Sequence, residues 1–223
     1  MTRTFKNWLV SLLVTAAVVP VCILWLDRPV AQWVHTILGE QHILFEPARS
    51  PVLSIPFVAS LLFVICGLVG LNRGRFSKLE STVAVSVIST LNTIVVKDQL
   101  KFVFGRTWPV TWAPGIQSFL GNNAYGFHYF KSGVSFESFP SGHAAISAAI
   151  VSILWILSPN LRVLCALCVI TVDIGLVALN LHFLSDVIAG SFVGLSTGLF
   201  TIALWRVISP DVIANIPWRS RWR

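Results

Sequence analysis

The fold is decided by long apolar stretches, the most informative of which is residues 139–157, FPSGHAAISAAIVSILWIL. This stretch contains no Lys, Arg, Asp or Glu. Its length matches the roughly 17 to 25 residues that a helix needs to cross a bilayer. We therefore predict a membrane-spanning helix over 142–157, which opens on the polar sequence PSGH.

Apolar stretches of similar length recur along the whole chain. They predict five further spans, at 8–26, 52–71, 81–96, 163–181 and 187–205. The 223 residues are 55% hydrophobic and only 11% charged, with a mean hydropathy of +0.79, whereas soluble domains are about 25% charged. The sequence thus predicts an all-α integral membrane bundle of six transmembrane helices, which forms a single membrane domain over 1–223.

The composition also excludes several classes of protein. Disordered chains and disulfide-rich secreted domains are far less apolar than this sequence. The net charge of +7 does not indicate a nucleic-acid partner, because no stripe of Lys and Arg lies on a soluble helix. The stretch 8–26 follows a short basic head, as a signal peptide would, but it is long for one and Val-Pro-Val at 19–21 is a poor cleavage site. We predict that it is retained as a span.

The Lys and Arg residues predict the orientation, because they are enriched in cytoplasmic loops. If the N-terminus is cytoplasmic, six of the 16 Lys and Arg residues lie on the outer side and the other ten lie inside. The outer six are Arg28, Arg49, Lys97, Lys101, Arg106 and Lys131. This asymmetry predicts that both termini are cytoplasmic.

Two regions outside the predicted spans have their own character. Residues 27–50 carry apolar side chains at helical spacing, which indicates an amphipathic helix in the membrane interface. Residues 97–140 form a long outer loop rich in Gly, Pro and aromatic residues. A loop of that length in so small a chain is usually functional.

Three polar segments fall on the same outer face under this topology. They are KFVFGRTWP at 101–109, FPSGH at 139–143 and NLHFLSD at 180–186. In the third segment, His182 and Asp186 are four residues apart and share one face of a helix. A carboxylate held against one imidazole nitrogen fixes the tautomer and leaves the other nitrogen available as a nucleophile or base.

The other two segments supply groups that suit an anion. Ser141 and Gly142 stand at a predicted helix start, where amides without partners in the helix bind oxyanions. His143 is next to them and is a candidate acid for a leaving oxygen. Lys101 and Arg106 are candidates to neutralise phosphate charge.

Each of these features also has a structural interpretation. An interfacial histidine is commonly a hydrogen-bonded structural residue, a Pro-Ser-Gly sequence is often only a turn and cap, and the two cations suit headgroup anchoring. Their occurrence together on one face favours an anion site that contains a nucleophile and an acid.

At these residues the chain resembles the type 2 phosphatidic acid phosphatase superfamily, over about residues 50–206. The match consists of PSGH at 140–143, the His and Asp of HFLSD at 182–186, and the six-span plan. The resemblance implies a mechanism without metal or cofactor, in which His182 attacks phosphorus, Asp186 orients it and His143 protonates the leaving group. It also implies that the phosphate oxygens are held by Lys101, Arg106, Ser141 and Gly142.

The sequence departs from the family pattern at two positions. Counted from Lys101, the arginine that precedes proline in the family falls on Trp108, and the nearest cation is Arg106. Counted back from His182, the second family arginine falls on Leu176. Arg106 is a candidate substitute for one of them, and the remaining candidates are Lys97, Lys131 and His128.

The expectation is a phosphatase that hydrolyses a lipid phosphate or diphosphate at the periplasmic face of a bacterial inner membrane. Its partners would be the lipid substrate and membrane lipids, with no nucleic acid. Candidate substrates are undecaprenyl diphosphate, phosphatidylglycerol phosphate, phosphatidate and lipid A phosphate. Two alternatives stay open at this point: a lipid phosphotransferase, and a non-catalytic lipid-binding or transport protein of the same fold.

Overall fold

The computed structural model describes residues 3–39, Ile65 and residues 77–208. Seven α-helices occur in these ranges, and they are named α1 to α7 in chain order. They are α1 (Arg3–Val21), α2 (Asp27–Leu38), α3 (Lys78–Phe104), α4 (Phe119–Asn122), α5 (Gly142–Leu157), α6 (Arg162–Ala178) and α7 (Leu184–Ile208). A π-helical segment, Cys22–Leu26, joins α1 to α2, and short 3₁₀ turns occupy Val134–Phe136 and Pro159–Leu161.

The predicted all-α membrane fold is confirmed. Four helical stretches are long and apolar enough to cross a membrane: Thr4–Leu38, Leu79–Phe104, Pro159–Ala178 and Leu184–Val207. The helix Gly142–Leu157 is apolar but shorter. The predicted span at 52–71 lies outside the described residues, apart from Ile65.

The centre of the bundle is the close contact between α5 and α7. Ala144, Ala145, Ala148 and Ala149 on α5 are fully buried. They face α7 at glycines spaced four residues apart, and a Cβ atom added at the second of these, Gly194, would lie 2.0 Å from the Ala145 carbonyl oxygen. Small residues on both helices therefore allow the two backbones to approach closely, as in other membrane helix pairs.

Helix α3 is longer than the sequence predicted. The predicted span ended at residue 96 and the outer loop began at 97, whereas the helix continues to Phe104 and places Lys97 and Lys101 in its last two turns. Lysine is a good helix former, and its aliphatic stem can cross apolar surroundings while its ammonium reaches a polar site. The helix ends at Gly105, whose φ of 56° is left-handed. The outer loop therefore begins there.

The predicted interfacial helix over 27–50 also needs correction. Its first part, α2, continues from α1 through the π segment instead of forming a separate helix. Asp27, Ala31 and Val34 are buried, and Ala31 packs in a cluster with Phe119 and Phe183. One face of α2 thus packs against protein. Residues 40–50 lie outside the described ranges.

The last two long helices differ from their predicted spans by a few residues at each end. Helix α6 ends at Ala178 instead of 181, and α7 begins at Leu184 instead of 187. The turn between them contains Asn180 with a φ of 52°. His182 consequently lies in this turn, and Asp186 lies in the first turn of α7.

Candidate active site

The three polar segments meet at one end of the bundle, around Asp186. The Ser141 amide donates to the Asp186 carbonyl over 2.9 Å. The Ser138 hydroxyl donates to Asp186 Oδ2 over 2.7 Å, and Arg106 Nη1 donates to Asp186 Oδ1 over 2.5 Å. The first turn of α7 is thereby tied both to the loop after α3 and to the segment that opens α5.

The predicted pair of His182 and Asp186 is present and buried. Nδ1 of His182 lies 3.6 Å from Asp186 Oδ2, which is longer than a hydrogen bond. The same Oδ2 accepts from the Phe183 amide over 2.9 Å and from the Ser138 hydroxyl. Within the described residues, Nδ1 of His182 has no hydrogen-bond partner. Catalytic hydrogen bonds are often long without substrate and shorten in the complex.

Burial determines the charge state of His182. The side chain is 3% exposed, and this burial lowers its pKa below the ordinary value, although Asp186 acts in the opposite direction. The ammonium of Lys101 adds to the lowering. His182 is therefore neutral at neutral pH, the form in which an imidazole nitrogen has a lone pair for attack.

Arg106 occupies a place that the sequence did not predict. Its guanidinium is fully buried and donates through Nη1 to Asp186 and to Ser185 Oγ (2.6 Å). Through Nη2 it donates to Asp27 Oδ2 over 2.6 Å and to the Tyr125 hydroxyl over 3.0 Å. Arg106 was predicted to hold phosphate oxygens, whereas in this structure both of its Nη groups bind carboxylates.

The charge of Arg106 is secured by its neighbours. Burial acts to lower the pKa of the guanidinium, but Asp186 and Asp27 outweigh burial and raise the pKa above its ordinary value. A buried arginine that is held by two carboxylates therefore supports Asp186 as a fixed positive charge. Arg106 is thus a structural neighbour of His182 and Asp186.

Asp27, Ser138 and Ser185 were missed by the sequence reasoning. Asp27 is 1% exposed and accepts from the Ser185 amide over 3.0 Å, from the Ser185 hydroxyl over 2.5 Å, and from Arg106. Its only signal in the sequence is an acidic residue immediately after the first apolar stretch, on the same predicted face as Arg106. Ser138 and Ser185 carry no distinguishing signal, because serine is common near helix starts.

The predicted anion site at the start of α5 is assembled from neighbouring segments. Ser141 is the N-cap, and its hydroxyl accepts from the Ala144 amide over 3.4 Å. His143 is exposed, and its ring centroid lies 6.2 Å from that of His182. A Cβ atom at Gly142 would lie 3.1 Å from Lys97 Cδ and 3.9 Å from Lys101 Nζ. Two lysines of α3 therefore lie over the first turn of α5.

Trp108 and Leu176 occupy the positions where the family pattern has arginines. The Trp108 ring centroid lies 5.1 Å from that of His182 and 5.7 Å from Lys101 Nζ. Its indole N–H donates to the Val134 carbonyl over 2.6 Å. The Trp108 ring thus contacts both Lys101 and His182, whereas Leu176 is buried in an apolar cluster with Ala144 and Val187.

The other cations suggested by the sequence are differently placed. The Lys131 ammonium lies 4.2 Å from the Phe136 ring centroid, and the His128 ring centroid lies 4.8 Å from the same centroid. Lys97 pairs with Asp98 and is next to Gly142. Of the three, Lys97 is the one that lies beside the start of α5.

The comparison with protein families agrees with the sequence resemblance. The family model described as the PAP2 superfamily matches residues 81–209. No curated protein sequence matches the chain significantly. Among solved structures, one described as the first transmembrane PAP2 type phosphatidylglycerolphosphate phosphatase from Bacillus subtilis is similar, with 21% identity and a TM-score of 0.47. The similarity covers 93% of this chain and 98% of that chain.

Proposed function

Because the chain belongs to the PAP2 superfamily, we propose that it is a membrane phosphatase that hydrolyses a lipid phosphate or diphosphate through a phosphohistidine. One observation carries this proposal. A buried neutral imidazole, His182, is backed by Asp186 and lies beside the start of α5 with Lys101 and a second histidine. This arrangement supplies a nucleophile, its orienting carboxylate, an anion site and a proton donor within one end of the bundle.

The first step forms a bond between nitrogen and phosphorus. Nδ1 of His182 faces Asp186, so Nε2 is the attacking atom. Its lone pair bonds to phosphorus while the bond from phosphorus to the leaving oxygen breaks. His143 gives its proton to that oxygen, which leaves as the lipid alcohol or lipid phosphate.

The second step releases the phosphate. His143, now neutral, accepts a proton from water as the water oxygen attacks phosphorus. The bond between phosphorus and Nε2 breaks, and its electron pair returns to His182. Lys101, Ser141 and the first amides of α5 at Gly142 hold the phosphoryl oxygens in both steps, because they are the cationic and donor groups around the helix start. The proposed reaction uses no metal or cofactor.

The location of the site follows from the predicted orientation. The C-terminal end of α3 and the N-terminal ends of α5 and α7 are on the outer side if both termini are cytoplasmic. We therefore place the reaction at the periplasmic face of a bacterial inner membrane, where a lipid headgroup reaches the site from the bilayer. The excess of Lys and Arg on the inner side supports this orientation.

A non-catalytic lipid-binding or transport protein of the same fold is the second candidate. The specific observation in its favour is that Trp108 and Leu176 stand where the family pattern has arginines, and Leu176 is buried in apolar packing. Such a protein would bind lipid phosphates without turnover.

The deciding experiment measures phosphate release by the purified protein from a panel of lipid phosphates, with EDTA present. The panel contains undecaprenyl diphosphate, phosphatidylglycerol phosphate, phosphatidate and lipid A phosphate. We expect release by the wild type and none by His182→Ala, while His35→Ala in α2 serves as a matched control and keeps wild-type activity. Folded wild-type protein that releases phosphate from no member of the panel would contradict the proposal. Product that requires an added alcohol acceptor would identify a phosphotransferase instead.

A further inference from the structure

The strongest unassigned feature of the described residues is a buried charge network behind the catalytic pair. The side chains of Asp27, Arg106 and Asp186 are all fully buried. Arg106 lies between the two carboxylates, at 2.6 Å from Asp27 Oδ2 and 2.5 Å from Asp186 Oδ1. Ser185 joins two of these groups: its hydroxyl accepts from Arg106 and donates to Asp27, and its amide donates to Asp27.

A π-helical segment between α1 and α2 immediately precedes Asp27. The Asp27 amide donates to the Cys22 carbonyl, five residues back, which is the π-helical pattern. A π turn shifts the following residues around the helix axis, and such turns are frequent at functional sites. The carbonyl of Ile23 in this segment accepts from the Tyr125 hydroxyl over 2.7 Å, and that hydroxyl also accepts from Arg106. The π segment and Asp27 are therefore joined to Arg106 by two routes.

The network has a direct consequence for Asp186. Arg106 holds Oδ1, while Ser138 and the Phe183 amide hold Oδ2, the oxygen that faces His182. Because Arg106 is itself bound by Asp27, both oxygens of the Asp186 carboxylate are held by donors that are fixed in turn. Removal of a partner from such a buried pair leaves an uncompensated charge, which moves to find another partner or water.

We propose that Asp27 is a positioning residue for the reaction, which acts through Arg106 on Asp186 and thereby on His182. This inference rests on the proposed function, since it assumes that His182 is the nucleophile. It makes the start of α2 part of the active site, although α2 lies outside the matched residues 81–209.

The proposal predicts that removing the charge of Asp27 and removing the charge of Arg106 shift the pKa of His182 in opposite directions. The charged and titratable groups around His182 come from every neighbouring element. The helices contribute Asp186 (α7), His143 (α5), Asp27 (α2), and Lys101, Lys97 and Asp98 (α3). The loop after α3 contributes Arg106, Tyr125 and Glu137. Asp27→Asn removes a negative charge, so the protonated form of His182 is less favoured and its pKa falls. Arg106→Gln removes a positive charge, so the pKa of His182 rises.

The test compares wild type, Asp27→Asn and Arg106→Gln, with Asp173→Asn as a matched carboxylate control. Asp173 lies on α6 and accepts from the Ser191 hydroxyl over 2.9 Å. We expect Asp27→Asn to lower kcat at least tenfold with KM within about twofold of wild type, as for lost orientation of a catalytic group. The acid limb of the kcat profile should move down by about half a pH unit in Asp27→Asn and up in Arg106→Gln. The control should change neither kcat nor the limb.

A purely structural role would lower the active fraction and leave the acid limb unchanged. An unmoved limb, or limbs that move in the same direction in both variants, would therefore overturn the proposal. If Asp27→Asn does not fold, Asp27→Glu keeps the charge but displaces Arg106. We expect it to lower kcat with the limb at the wild-type position, and wild-type kcat in this variant would also overturn the proposal.

Failure of the proposed function can be told apart from failure of this inference. Histidine side chains labelled with ¹³C report the pKa of His182 by NMR titration without any substrate, and His182→Ala identifies its signal. Wild-type protein without hydrolysis would refute the phosphatase, whereas the opposite shifts of the His182 signal in the two variants would still support the coupling of Asp27 to His182. Absence of those shifts would refute the coupling even in an active enzyme.

Discussion

The proposed active site has two halves that are built in opposite ways: the nucleophile side, around the proposed nucleophile His182, and the phosphate side, around the groups proposed to hold phosphate. On the nucleophile side, Asp27, Arg106 and Asp186 are fully buried and bind one another through ion pairs and serine hydroxyls. On the phosphate side, the exposed His143 and the Lys101 ammonium border the start of α5, and within the described residues no carboxylate lies within ion-pair distance of Lys101. On the nucleophile side, the hydrogen bonds hold the buried side chains in a fixed arrangement. The phosphate side keeps donors for a ligand.

One of the two departures from the family pattern lies on the phosphate side. A phosphate site tolerates the loss of one cation, since several donors share the same oxygens. A buried support does not, because each charge is matched by a specific partner. Trp108 stands on the phosphate side, beside Lys101 and His182, while the His and Asp of the nucleophile side retain the family spacing.

The largest effect is expected on the nucleophile side, from Asp186→Asn. This change removes the charge that orients and stabilises the His182 imidazole and leaves Arg106 with one carboxylate. We expect kcat to fall by about 10³- to 10⁴-fold, the range for loss of an orienting carboxylate. Steady-state kinetics on the best lipid substrate measures it. A loss below tenfold would mean that His182 does not depend on the buried support.

A smaller loss is expected on the phosphate side, from Lys101→Met. Methionine keeps most of the side-chain length and removes the ammonium, so kcat/KM should fall by about 10²- to 10³-fold, as for one oxyanion donor. The matched variant is Lys97→Met, four residues earlier on the same helix. It should cost less than Lys101→Met, because Lys97 already pairs with Asp98. Equal losses in both variants would show that the two lysines share the phosphate equally.

The pH dependence tests the burial of the nucleophile. Burial lowers the pKa of His182, so the imidazole stays neutral and active to a lower pH than an ordinary histidine, and activity falls as the pH drops through that pKa. We expect the midpoint of the acid limb below about 6.5. Comparison of monophosphate and diphosphate substrates separates titration of the substrate from that of the enzyme. A limb at or above the ordinary histidine value would indicate that His182 is more solvated than its surroundings imply.

The smallest effect is expected from Trp108→Phe. Phenylalanine keeps an aromatic wall against His182 but loses the hydrogen bond to the Val134 carbonyl, a cost of about 1 kcal/mol in stability. Thermal unfolding and turnover measure the two consequences, and we expect kcat within about threefold of wild type. A large loss of kcat with unchanged stability would assign Trp108 a direct part in substrate binding.

The sequence by itself determined the membrane-embedded helical fold and suggested the positions that we propose carry the chemistry. Apolar stretches near bilayer length suffice for the first, because a backbone in lipid must satisfy its hydrogen bonds within the helix. The spacing of four between His182 and Asp186, and the PSGH sequence before an apolar run, are local patterns with a direct geometric meaning. The sequence analysis placed the end of α3 too early. Lysines mark the edge of a span in a hydropathy pattern, but they are also good helix residues.

Only the tertiary structure decided what Arg106 and Asp27 do. In the sequence, Arg106 was one of several outer cations near a phosphate motif, and Asp27 was an acidic residue at the end of a span. They are 79 residues apart in the chain, and no periodic pattern connects them. Their pairing depends on the π segment before Asp27, which shifts the position of that residue around the helix axis. It also depends on burial, which makes an unpaired charge costly. Long-range ion pairs of this kind depend on how the helices pack.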